Sequence, residues 1–507
     1  MSDLDREQIP QLSKSRFLAG LQCYKRLYLE CYHRDLADPV DQGQQALLDV
    51  GTMVGELARG LYPGGVLISD DYLHHDDAVV STEIALSDPS IPAIYEAGFL
   101  HDDIRIRADI LARAGNDVFD LLEVKSGTQV KEEHLPDVGV QLYVLNGCRI
   151  PIGRACVVHI NKEYVYRGGD YDLSQLFCAE DITAEAQQLQ PDIPSYLNEM
   201  RLPLWSLEPP DIKARKQCSK PIPCPFYGHC HEDEPEHSIY QLPRAREELL
   251  QALEAAGIEA IRHIPAGFPG LNATQQRVRD CVVSNRVHLD PSLARAMGQL
   301  EYPIHFLDFE TFDPALPLYI GTHPYQVIPF QWSNHIMNRD GELRHEEFLQ
   351  QEFSDPREPF ARSLLKTLGT SGSIITYSSF EATRIRELAA DLPGLSRDLL
   401  ALLDGRIVDL LQLIRRYCYH PEFHGSFSLK SVLPALVPDL DYSDLEIRDG
   451  DQASAAYAEM IHPDTPSDNR NSLRTSLLSY CERDTEAMVK LFTTLANKSL
   501  NEPQQSI

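Results

Sequence analysis

Residues 305–312 read HFLDFETF, and this short run decides how the C-terminal part of the chain is read. Its apolar residues enclose two carboxylates spaced two apart, Asp308 and Glu310. In a strand such residues share a face, so both acids point one way and Phe309 the other. Downstream, ITYSSFEATRI reads as a strand running into a helix, with Glu381 near the helix start. Further on, SYCERDTEAMVKLF is helical, and its Tyr480 and Asp484 are four apart, on one helix face. Each piece alone is an ordinary strand edge or solvated helix face. The ordered set, each member at the expected end of its element, points to a site. Asp308, Glu310, Glu381 and Asp484 are expected to hold two divalent ions, Mg²⁺ or Mn²⁺, with Tyr480 placing a water.

Around this run, short apolar strands alternate with helical stretches such as EATRIRELAADL and IVDLLQLIRRYC. Residues 301–507 are therefore expected to form an α/β layer domain, with the tail NEPQQSI frayed. Upstream, HEDEPEHS reads as a linker, and residues 236–300 as a small helical module between domains. There Leu249, Leu250 and Leu253 form an apolar face, Gly257 is a C-cap, and a second helix starts near Asn272. Residues 1–235 form a first domain. It opens on a helix, SKSRFLAGLQCYKRLYLECY, capped by Ser13 or Ser15, and continues through strands AIYEAGFL, IRIRADILAR, DVFDLLEVKS and ACVVHI.

Two of those strands carry a second set of acids. Asp109 lies on one, and Glu123 and Lys125 share a face of the next. A hairpin through AGND brings Asp109 close to Glu123, where two carboxylates suit Mg²⁺ or Mn²⁺ and Lys125 suits developing negative charge. Glu96 is a further acid expected near the site, and Gln141 follows on a helix. Four cysteines bracket the domain: Cys23 in the first helix, then Cys218, Cys224 and Cys230 in a Pro-rich loop, each pair separated by five residues. Four thiolates suit a [4Fe–4S] cluster or a tetrahedral Zn²⁺, with Cys31, His229 and His231 as nearby alternative ligands.

The order Asp109, Glu123-Val124-Lys125, then a helix with Gln141, resembles the PD-(D/E)XK nucleases, in the RecB-like branch that includes the iron–sulfur nucleases of CRISPR adaptation. That branch places one cysteine before the nuclease core and three after it, so the resemblance favours iron–sulfur over zinc and implies a clasp joining the two ends of the domain. The C-terminal set resembles the DnaQ-like 3′–5′ exonucleases of the RNase H-like fold, in the subgroup with Tyr in the last motif. The middle motif departs from the usual Phe-Asp, reading Phe380-Glu381 here. Asp409 matches a strand-end acid of that fold, and Lys430 is placed to meet a phosphate. Together with LSKSRFLAGLQC and HPYQVIPFQWSNH, both halves resemble a bacterial family that fuses the two kinds of domain. The resemblance implies a metal-dependent nuclease with two sites, acting 3′–5′ on single-stranded DNA, with RNA possible. The competing expectations are one active exonuclease beside a degenerate N-terminal iron–sulfur binding module, and a non-catalytic adaptor in DNA repair or defence.

Composition bounds these readings. The chain has 507 residues, 43% hydrophobic and 24% charged, with a net charge of -30. That length suggests roughly two to four domains. The charge argues against a polycation that coats nucleic acid, but a local cluster of acids is what a divalent ion needs. No apolar run approaches the ~18–20 residues of a membrane span, so no membrane partner is expected. The polar start MSDLDREQIP is unlike a secretory signal, and a cytoplasmic location is expected.

Overall fold

The computed structural model of the protein describes residues 10–70, 73–115 and 117–501. It is mixed α/β and divides into two compact units. The first takes residues up to Asp233 together with Pro314–Gln326, and the second takes Glu234–Asp313 together with the chain from Val327. Most of the polar start, Asn116 of the expected hairpin turn, and the tail beyond Asn501 lie outside the described residues. No helix among the described residues is long and apolar enough to cross a membrane.

The first unit is built on a sheet of β1 (Leu12–Ser13), β2 (Val66–Leu67), β3 (Ala93–His101), β4 (Ile104–Gly115), β5 (Val118–Lys125), β6 (Ile152–Ile160) and β7 (Phe177–Asp181). The order is β2-β3-β4-β5-β6-β7, with β1 parallel on the start of β4 through Leu12↔Ile104. Strands β3, β4 and β5 form an antiparallel meander, and β6 runs parallel to β5. The crossover into β6 carries a helix at His134–Gly147, as a parallel connection requires. Both faces of the sheet are covered. Phe17, Ile106, Leu121 and Val144 pack on one side, and Val54, Ile110, Leu122 and Val158 on the other. This is why LLEV in β5 is continuously apolar around its one acid rather than alternating.

The opening helix differs from expectation. It is two helices, α1 (Lys14–Gln22), capped by Ser13, and α2 (Tyr24–Tyr32). Cys23 lies between them with an extended backbone, φ -166° and ψ 125°. Helices α3 (Gln42–Ala58), α4 (His75–Ser87) and α5 (His134–Gly147) complete the part of the unit that matters for its site.

The second unit holds β8 (Ile304–Phe312), β9 (Ile328–Met337), β10 (Leu343–Leu349), β11 (Ile374–Thr376) and β12 (Ile407–Asp409), in the order β10-β9-β8-β11-β12. The first three are antiparallel, and β11 and β12 add in parallel. Central β9 tolerates Pro329 because the register shifts between Pro329 and Gln331, so the missing N–H falls at an irregularity. Helices α6 (Glu247–Ala255), α7 (Ala273–Ser284), α8 (Arg357–Leu368), α9 (Phe380–Asp391), α10 (Leu410–Tyr417), α11 (Leu429–Leu436), α12 (Gly450–Ile461) and α13 (Ser467–Asn501) cover it. Asn272 caps α7 in a full capping box with Gln275, and Gly257 follows α6 at φ +71°. The expected free-standing module at 236–300 is not separate. Leu249, Leu253, Val278 and Leu293 share one core with Phe306, Leu410 and Leu491, so these helices are part of the second unit.

Candidate functional site

The sharpest grouping is in the second unit. Strand β8 presents Asp308 and Glu310 to one face, where Phe306 meets Phe492 of α13 at 5.4 Å. On the opposite face Phe309 packs edge-on against Phe360 of α8 at 4.9 Å. Glu381 sits in the first turn of α9, at the end of a helix whose dipole favours negative charge. Tyr480, Cys481 and Asp484 project from α13, so three separate elements deliver the expected residues.

Single donor atoms of Asp308, Glu310 and Cys481 lie within 4.8 Å of one another. The Cys481 thiol lies 3.6 Å from Asp308 Oδ2. Asp484 accepts a 2.5 Å hydrogen bond from the Tyr442 hydroxyl, and Tyr480 lies near enough to act on the same carboxylate. Lys430 stands over the rings of Tyr442 and Tyr480, at 5.8 and 5.7 Å. Its charge acts on both Glu310 and Asp484. Asp409 caps α10 through the Gln412 N–H at 3.0 Å and also repels Glu381.

The electrostatics follow from burial and mutual repulsion. Burial raises Asp308 well above the usual carboxylate range, and Asp484, Glu310 and Glu381 push it the same way. Burial and Asp484 do likewise to Glu310. Glu381 is pushed up to about 8 by burial, against its own backbone bond and with Asp409 and Asp484 adding to the rise. Asp484 rises to about 6 because burial outweighs its tyrosine and lysine partners. Glu381 is 3% exposed, and its Oε2 has no hydrogen-bond partner among the described residues. Four acids, two of them acted on by Lys430, with an orphaned buried oxygen, fit divalent cations by donor type and by charge.

The first unit also brings its expected residues together, with a different balance. Asp109 on β4 accepts the Val124 N–H at 2.8 Å. Glu123, 2% exposed, accepts from Lys125 at 2.8 Å and from Gln141 of α5 at 2.7 Å. Two further residues join that sequence reasoning missed. Lys14, the first residue of α1, reaches Glu123 Oε1 at 2.7 Å and Asp137 Oδ1 at 3.4 Å. Asp137 of α5 takes Lys125 on its other oxygen at 2.5 Å and Gln141 Nε2 at 3.1 Å. Burial raises Asp109 to about 7, with Glu123 adding to the rise. Glu123 goes the other way: burial opposes, but Lys14 and Lys125 hold it below the usual range. Glu96 is not among these residues. The ladder places it across from Asp109, but at φ +56° its carboxylate turns to Arg59 at 3.4 Å and Arg107 at 3.8 Å.

The four bracketing cysteines line one cavity, together with Lys25, Arg26, Lys213 and Phe226. Cys218 and Cys224 are buried, and the Cys224 N–H bonds the Cys218 carbonyl at 2.8 Å. Cys23 closes α1 by donating its N–H to the Ala19 carbonyl at 2.9 Å and opens α2 by accepting the Leu27 N–H at 3.0 Å, with an extended backbone between them. Burial raises the Cys224 thiol to about 11, with Cys218 and Cys230 adding to the rise. Among the alternative ligands, Cys31 packs against the sheet core, and His231 stacks on Tyr227 at 3.6 Å. Four cysteines lining one cavity beside three cations are the donor type and charge a cysteine-ligated centre needs, but no three of their sulfurs lie within 4.8 Å of one another.

Residues 305–428 match the model of a domain of unknown function (DUF2779), about a quarter of the chain. The matched stretch contains Asp308, Glu310, Glu381, Asp409 and Ser428, and ends before Lys430, Tyr480 and Asp484. No curated protein and no solved structure matches the chain.

Proposed function

We propose that the protein is a metal-dependent nuclease whose hydrolytic site is the cluster of Asp308, Glu310, Glu381 and Asp484. The observation that carries this reading is the charge balance: four acids, an orphaned Glu381 oxygen, and Lys430 as the facing cation. The mixed sheet, with acids on its central strand, at a helix start and on the last helix, supports an RNase H-like, DnaQ-like domain. The substrate favoured is single-stranded DNA cut 3′–5′, with RNA as the other candidate.

Two divalent ions, when bound to those carboxylates, activate the attacking water and offset charge on the leaving oxygen. The chain's own groups do the rest. Tyr480, beside Asp484, orients the water through its hydroxyl. Tyr442 fixes the rotamer of Asp484 by donating its hydroxyl to the carboxylate. Lys430 meets the substrate phosphate as a point charge. In the first unit, Cys23, Cys218, Cys224 and Cys230 would hold a [4Fe–4S] cluster that ties the start of the domain to its end, with Lys25, Arg26 and Lys213 balancing its charge.

A second reading of the first unit is favoured by one observation. Glu123 and Asp137 are already paired with Lys14 and Lys125. That suits a module that binds nucleic acid and feeds it to one cutting site. The test is a panel of 5′- and 3′-labelled single- and double-stranded DNA and RNA with Mn²⁺ or Mg²⁺. Stepwise shortening from the 3′ end of single strands supports the proposal. Absence of metal-dependent hydrolysis on every substrate overturns it.

A further inference from the structure

The two acidic sites differ in how their charge is met. In the second unit, Asp308, Glu310, Glu381 and Asp484 form no lysine or arginine ion pair among the described residues, and Lys430 acts on Glu310 and Asp484. In the first, Asp109, Glu123 and Asp137 face both Lys14 and Lys125. Every carboxylate oxygen of Glu123 and Asp137 already has a donor. Glu123 Oε1 takes Lys14 at 2.7 Å and Lys125 at 2.8 Å, and Oε2 takes Gln141 at 2.7 Å. Asp137 Oδ1 takes Gln141 at 3.1 Å and Lys14 at 3.4 Å, and Oδ2 takes Lys125 at 2.5 Å. A Mg²⁺ ion requires oxygens at about 2.0–2.1 Å in near-octahedral geometry. It would have to displace Lys14 and Lys125 from Glu123 Oε1, or the Gln141 amide from Oε2. The residues of this site therefore do not fit the divalent ion that the nuclease resemblance implies.

Lys14 is held in place by the fold rather than by chance of rotamer. Leu12 pairs with Ile104 and Ser13 with Arg105, so β1 is anchored on β4. Leu12 is 2% exposed, and Ser13 caps α1 by accepting the Arg16 N–H at 3.3 Å. The next residue is Lys14. Its position is thus fixed by a strand, a cap and a helix start, and its ammonium meets acids from β5 and α5.

We propose that Lys14 is a tethered cation occupying the metal position of the first unit, so that this site carries no divalent ion in the resting protein. The inference rests on reading Asp109, Glu123 and Lys125 as a nuclease-type site, and it assigns that site a metal-excluding residue. Removing the Lys14 charge leaves Glu123 Oε1 with Lys125 alone and takes away the one cation that meets Asp137 Oδ1 among the described residues, which admits a divalent ion where there was none.

The test counts Mn²⁺ bound to the full-length protein by electron paramagnetic resonance, in an Asp308→Asn, Glu310→Gln background that silences the second unit. The expected result is no Mn²⁺ dependent on Glu123 in that background, and one Mn²⁺ per chain after Lys14→Met. Adding Glu123→Gln removes it again. One Mn²⁺ in the background protein, lost on Glu123→Gln with Lys14 intact, overturns the proposal without requiring any Lys14 variant to fold. A folded Lys14→Met protein that gains no ion overturns it too. Neither result bears on hydrolysis by the second unit, which the labelled-substrate panel reads separately.

Discussion

Glu381 shows at the scale of one residue why the second unit calls for cations. Its carboxyl is raised to about 8, chiefly by burial, and Asp308 and Glu310 are raised well above the usual range. An acid raised in the folded state binds its proton more tightly there than in the unfolded chain. Its contribution to stability is present at low pH and lost as pH rises from the unfolded value of about 4 through the folded one. His305 and His335 oppose this trend below about 6.5, because burial depresses both to about 4. The clean window is therefore about pH 7–9. Without metal, the melting temperature should fall across that window, and Mn²⁺ should restore it most at the alkaline end. A metal-free melting temperature that rises across it contradicts this balance. Tyr442 tests the support around Asp484. Tyr442→Phe keeps the ring and removes the 2.5 Å hydrogen bond, so Mn²⁺ affinity should drop about 10–100-fold by calorimetry.

Elements decide which of these residues meet. The alternation in HFLDFETF and the i,i+4 spacing of Tyr480 and Asp484 made one cluster readable from sequence, because both patterns lie within single elements. Strand β9 escaped sequence reading: it is buried on both faces along most of its length, so it lacks the alternation that marks a half-buried strand. Lys14, Asp137 and Tyr442 escaped for another reason. Each reaches its site from an element remote in sequence, and no local spacing reports such a meeting. The break between α1 and α2 was hidden by uninterrupted helical periodicity across Cys23, the residue at which the chain turns extended and which lines the cavity with the distant loop. The cysteine cavity yields a prediction at this scale. The purified protein should be brown and carry about four irons per chain. Cys23→Ser should lose the visible absorbance and lower the unfolding midpoint of the first unit. A colourless protein with stoichiometric zinc contradicts the iron–sulfur assignment.

For the whole molecule, a net charge of -30 means that nucleic acid is not held by a general positive surface. Part of that charge is concentrated in two acidic sites, which the chain treats differently. One is met by Lys14 and Lys125, and the other is left for divalent ions beside Lys430. On the proposed reading the two units carry two chemistries, a lysine-closed site with a cysteine clasp and an open carboxylate cluster. The most direct measurement compares hydrolysis of 3′-labelled single-stranded DNA in Mn²⁺ by the wild type, Asp308→Asn and Lys125→Ala. Loss of at least about a hundredfold in rate is expected for Asp308→Asn, beyond what a partner outside the metal shell is worth, with Lys125→Ala close to wild type. Full hydrolysis by Asp308→Asn, with loss in Lys125→Ala alone, would place the cutting site in the first unit and contradict the assignment made here.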